Sequence, residues 1–130
     1  MIEQTELIIS KWNYQPPLNF NEAEDKLVSF TSLDVMKKRA STKKGIACRF
    51  TCNFVIENKT ILEYVGEDSY VIDLQDVIDK RELLTMLRNS YSKFQEKFDL
   101  RKFGTILQGR TLAPLDESQI GLDSILPLLV

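Results

Sequence analysis

Between Ile46 and Glu57 apolar and polar positions alternate without a break: Ile46, Cys48, Phe50, Cys52, Phe54 and Ile56 fall on one parity. Period-two patterning puts all six on one side of a pleated ribbon, so the segment predicts a strand with one dry face. Asn58-Lys59 supplies turn chemistry before a second run, Thr60 to Val65. Leu62 and Tyr64 share parity with Tyr70, Ile72 and Leu74, which predicts one long strand with an irregularity at Gly66-Glu67-Asp68. Lys26 to Met36 holds Leu27, Val28, Phe30, Thr31, Leu33 and Val35 and predicts a further strand with apolar residues on both parities. Glu6 to Tyr14 is a fourth. Between those two, Gln15-Pro16-Pro17-Leu18-Asn19-Phe20 has to be irregular, because proline restricts the residue before it and donates no ladder hydrogen bond. Short sequential links favour an antiparallel meander.

The period then changes. Asp79 stands three residues before Glu82, and the apolar positions that follow are Leu83, Leu84, Leu87, Tyr91, Phe94 and Phe98. Spacings of three and four predict an amphipathic helix of about 17 to 19 residues with Thr85, Arg88, Ser92, Gln95 and Glu96 opposite. Asp116 and Gln119 form a second cap, for a short C-terminal helix through Ile120, Leu122, Ile125 and Leu126 that stops near Pro127. The expected fold class is α+β: an antiparallel four-stranded sheet packed with an amphipathic helix and a short C-terminal helix, as one domain over residues 1–130.

Composition narrows the function classes. A chain of 130 residues with 43% hydrophobic and 28% charged residues suits one folded core. No apolar run approaches the ~20 residues of a membrane span, and Glu3 and Glu6 stand where a secretory signal would be basic and then apolar. We therefore expect no membrane insertion and a cytoplasmic setting. The chain has no histidine, which removes histidine triads and histidine-ligated metals. No phosphate-cradling glycine loop or nucleophile elbow is present, so neither an enzyme nor a cofactor is expected. Glu63, Glu67 and Asp68 are a conceivable carboxylate group, but strand neighbours face opposite ways and Glu-Asp suits an exposed turn.

Charge is uneven under a net −2. Residues 36–56 lack acids and carry Lys37, Lys38, Arg39, Lys43, Lys44 and Arg49. This basic hairpin, Lys37 to Arg49, reads as a solvated tip turning at Ser41-Thr42-Lys43-Lys44-Gly45, or else as the contact surface of an adaptor or nucleic-acid-associated domain. The acidic balance argues against nucleic acid as the general partner. Cys48 and Cys52 lie about 13 Å apart on a strand at ~3.3 Å per residue, beyond disulfide reach, and are expected to be buried free thiols rather than metal ligands.

Trp12, Tyr14 and Phe20 flank the two prolines, and a stiffened aromatic loop can present apolar surface at low ordering cost. The order of elements resembles the SecB-type export chaperones. The resemblance is carried by Trp12-Asn13-Tyr14-Gln15-Pro16-Pro17-Leu18-Asn19-Phe20 as the family's crossover loop, by Glu63 to Ile72 as its last strand, and by Leu112-Ala113-Pro114-Leu115 as the apolar-proline entry to its final helix. The helix segment Phe94 to Arg101 departs from the family's pattern, and the acidic motor-contacting tail has no counterpart before Val130. The resemblance implies a nucleotide-independent chaperone or holdase, for export or a dedicated partner. It would form homo-oligomers and bind unfolded polypeptide clients through a groove edged by Trp12, Tyr14, Leu18 and Phe20.

Overall fold

The computed structural model describes residues 3–21, 26–39, 41–117 and 120–121. Its strands are β1 (Glu3–Gln4), β2 (Ile8–Tyr14), β3 (Leu27–Arg39), β4 (Lys43–Ile56) and β5 (Lys59–Asp73), followed by a single long helix, α1 (Lys80–Arg101). All pairings are antiparallel. β3, β4 and β5 form a meander, while β1 and β2 lie end to end along the far edge of β5. The sheet is thus four strands wide, and the link from β2 to β3 crosses from one edge to the other instead of making a sequential turn.

The dry face of β4 is as its alternation predicts: Ile46, Cys48, Phe50, Cys52, Phe54 and Ile56 are all buried. The β4–β5 turn has two residues, Glu57 and Asn58, both at positive φ (49° and 66°). Such turns match the right-handed twist of the strands they join. The basic hairpin is corrected at its tip, where Lys43, Lys44 and Gly45 belong to β4 and pair with Asp73, Ile72 and Val71. The expected irregularity at Gly66-Glu67-Asp68 is also absent. β5 runs through it, and the shifts fall at Ile61, between Phe54/Leu62 and Val55/Thr60, and in β2 between Ile9 and Lys11. Glu67 and Asp68 therefore occupy a strand, not a turn.

The helix covers one face of the sheet. Asp79 caps it through its side chain, which accepts from the Glu82 amide at 2.8 Å. It reaches Arg101, 22 residues in all and longer than its spacing predicts. Leu83, Leu87, Tyr91, Phe94 and Phe98 are buried, and the spacing overlooks Met86 and Ser90 beside them. Tyr64 stacks on Phe94 at 4.2 Å between centroids, and Phe54 on Phe98 at 5.5 Å. Gly66 permits this closeness, since a Cβ there would stand 2.6 Å from Phe94 Cδ1. The C-terminal helix lies mostly outside the described residues.

One carboxylate is buried in the helix–sheet layer. Asp68 accepts from Gln4 Nε2 (2.9 Å), Thr5 Oγ1 (2.8 Å), the Ser69 amide (2.8 Å) and Ser90 Oγ (2.7 Å). Ser90 also bonds the Tyr70 hydroxyl. This network ties β1 to β5 and α1, so a two-residue strand is held by side chains more than by its ladder.

Candidate functional site

The residues expected to edge a groove are placed apart. Trp12 is half-buried, edge-on to Tyr64 at 5.4 Å between centroids and tilted against Phe98 at 6.1 Å, with the Arg101 guanidinium 5.8 Å from its ring centre. Tyr14 is half-buried too, its hydroxyl accepting from the Ile106 amide at 3.0 Å. Phe20 packs on the core. Leu18 alone is fully exposed. Three of the four thus fold under, where aromatic rings bury more area than in a loop held out to solvent.

The one open groove among the described residues for which a volume is defined, about 640 Å³, lies elsewhere, at the β3 side of the helix–sheet layer. Its near wall is the inward face of β3, with Thr31, Leu33 and Val35, and its floor is Phe50 of β4 and Tyr91 of α1. The far wall is the segment from Ala113 to Ile120. Polar ties hold that wall to α1. The Tyr91 hydroxyl donates to the Ala113 carbonyl, and Gln95 Nε2 donates to the Leu112 and Ala113 carbonyls at 3.3 Å each. Arg88 pairs with Glu117 through both guanidinium nitrogens, Nη2 to Oε2 being 2.8 Å. The hydrogen bond and charge of Arg88 hold the Glu117 carboxyl below the ordinary glutamate range, and the Glu117 hydrogen bond holds Arg88 above its own. Burial pushes the Tyr91 hydroxyl up to about 12, so it stays a donor across the physiological range.

Both thiols are buried beside this layer. Burial, and secondarily the Asp68 charge, pushes Cys48 up to about 12, while burial raises Cys52, whose sulfur faces the Thr31 hydroxyl at 3.7 Å. Neither is poised as a nucleophile.

The basic hairpin is largely neutralised. Lys43 pairs with Asp73 at 2.7 Å and Arg49 with Glu67 at 2.7 Å, and Lys44 is buried. Arg49 and Glu67 are cross-strand neighbours, so the acid-rich β5 answers the basic β4 position by position.

The groove residues Leu33 and Val35 were half-visible in sequence. A β3 with apolar residues of both parities announces two faces that each need cover, but which loop returns to provide it is a long-range fact.

No protein-family model matches the chain, and no curated protein matches it in sequence. Among solved structures it is similar to the SecB-like chaperone Rv1957 of Mycobacterium tuberculosis, in complex with a ChAD peptide from the HigA1 antitoxin. The TM-score is 0.50 at 14% identity, covering 88% of this chain and 90% of that one. The fold is SecB-like. Strand order and the helix on one face account for that likeness, and at this identity it speaks to the fold alone. No helix among the described residues is long and apolar enough to cross a membrane.

Proposed function

We propose that the chain is a chaperone-like holdase that binds extended, non-native polypeptide in the groove between β3 and residues 113–120, without nucleotide. The observation that carries this reading is the groove itself, apolar along Leu33, Val35, Phe50 and Leu115 and bordered by hydroxyls. Its volume lies in the range of preformed ligand sites. Each large apolar side chain a client buries there contributes on the order of 1.5 to 3 kcal/mol, so a few suffice for micromolar binding. The likeness to a SecB-like chaperone solved with a peptide supports the same class of ligand. A dedicated client in the cytoplasm fits this reading better than general export, because the acidic motor-contacting tail has no counterpart in the sequence.

Leu18, exposed on the crossover, adds an apolar contact, while Trp12, Tyr14 and Phe20 support it from below. The test compares suppression of client aggregation and direct binding of an unfolded polypeptide by the parent, Val35→Asp, Leu115→Asp and Leu18→Asp. Loss in the two groove variants with retained circular dichroism is expected, with a smaller loss for Leu18→Asp. Full binding by both groove variants would remove the groove, and no binding by the parent would remove the holdase.

A further inference from the structure

We infer that β3 pairs with the β3 of a second copy about a two-fold axis through Leu33, joining two sheets edge to edge. The two edges of the sheet are built differently. The far edge of β5 is covered by β1 and β2, which are interrupted between Gln4 and Ile8 and shifted in register between Ile9 and Lys11. Interruptions and bulges of this kind discourage further pairing. β3 has none of these guards. It runs 13 residues, Leu27–Arg39, in unbroken register with β4, contains no proline, and carries a single charge, Asp34, between Leu27 and Met36. No described strand pairs with its other side.

The sequence of that strand is self-complementary. A two-fold axis perpendicular to the sheet keeps inner residues inner and outer residues outer, so only registers that match like parity are available. Full overlap of the strand centres on Leu33, its midpoint. In that register Phe30 of one copy faces Met36 of the other, twice over. These side chains are 61% and 56% exposed on the face away from α1, a large uncovered apolar pair, and a thioether against a ring is a favourable contact. Asp34 faces Ser32, and Lys37 faces Ser29, so no like charges meet. Shifting the centre to Asp34 would oppose two carboxylates, and shifting it to Ser32 would set Phe30 against Asp34.

On the inner face the same register sets Leu33 against Leu33 and Thr31 against Val35. These residues wall the groove, so pairing would make the two grooves one continuous channel across the joined sheet. The inference stands on β3 alone and does not depend on what the groove holds.

The test uses the full chain. Sedimentation at tens of micromolar should give a mass at least twice 15.0 kDa, and the double variant Phe30→Lys, Met36→Lys should halve it. Both positions are exposed, so neither change should disturb the fold, which circular dichroism checks. A mixture of Phe30→Cys chains with Met36→Cys chains should form a disulfide-linked pair on mild oxidation, since directly opposed antiparallel residues meet the required Cα spacing. Linkage of Phe30→Cys to itself should not exceed background. A single-chain mass for the parent, an unchanged mass for the lysine variant, or no mixed disulfide overturns the proposal. So does a monomer whose β3 edge is covered only when a client is added.

Discussion

Replacing Asp68 with Ala removes the acceptor shared by four donors in the helix–sheet layer, Gln4 Nε2, Thr5 Oγ1, the Ser69 amide and Ser90 Oγ. Hydrogen bonds to a charged group contribute about 1.5 to 3 kcal/mol each. The loss is smaller than four such bonds, because three donors keep a second partner. Gln4 Nε2 still reaches Ser90 Oγ at 2.8 Å, the Ser69 amide still reaches Thr5 Oγ1 at 3.0 Å, and Ser90 keeps Tyr70. Relief of a buried charge offsets part of what remains. We expect a net cost of about 2 to 4 kcal/mol for Asp68→Ala, and about half of that for Asp68→Asn, which keeps one carbonyl acceptor. With an unfolding entropy of roughly 2.1 cal/mol/K per residue, that cost lowers Tm by about 7 to 15 °C for a chain of 130 residues. The effect should also be local. β1 is tied down through Gln4 and Thr5, so the Thr5 amide, bonded to the Ser69 carbonyl at 3.0 Å, should exchange with solvent faster in the Ala variant than amides of β4. Differential scanning calorimetry and amide hydrogen exchange give both numbers. A Tm within 2 °C of the parent together with an undisturbed Thr5 amide would refute the reasoning, because the network would then be a consequence of packing and not a cause of it.

Gly66→Ala should destabilise by about 1 to 3 kcal/mol through overpacking on Phe94, and Phe94→Leu in the same chain should recover part of that, measured by urea unfolding. Cys48 and Cys52 should label slowly in the folded protein at pH 8 and quickly once it is unfolded. Because their ionisation is raised in the native state, their contribution to stability is intact below the ordinary thiol value near 9 and is lost as pH climbs toward 12. An unfolding free energy that holds constant from pH 8.5 to 10.5 would contradict this. Glu117 has the opposite sign: its tie to Arg88 is present above the ordinary glutamate value and is lost as pH falls through the lowered native value. Polypeptide binding should therefore weaken in mildly acidic buffer more in the parent than in Glu117→Gln, read by fluorescence anisotropy.

The strands of the meander and the long helix were legible because β4 alternates cleanly over twelve residues and α1 repeats every three or four, signals that survive without tertiary context. The chain crossing from β2 to β3 was legible only as an irregular segment, since proline says where a strand cannot run but not which edge the chain will next join. Trp12 and Tyr14 were read as a surface because of their neighbours, Pro16 and Pro17. Their burial is decided by Tyr64, Phe98 and Ile106, which lie far along the chain. The groove was hidden for the same reason. Its near wall is a strand and its far wall a loop some eighty positions later, and no local pattern links Leu33 to Leu115. Asp68 was visible as an acid beside another acid, and only pairing with Gln4 and Ser90 shows that its parity turns it inward.

Tyr91 forms the groove floor with its ring and tethers the opposite wall with its hydroxyl. Floor and wall are therefore one compliant unit. Each polar tie from α1 to residues 112–117 is worth only about 0.5 to 1.5 kcal/mol net in water, so spreading the wall to admit a bulkier side chain exchanges a tie for a solvent contact at modest cost. A cleft closed by hydrophobic interlocking would tolerate one shape. One sprung on a few hydrogen bonds can change its width from guest to guest, and breadth of fit becomes a matter of stiffness, set by Tyr91, Gln95 and Arg88, as much as of the chemistry that lines it.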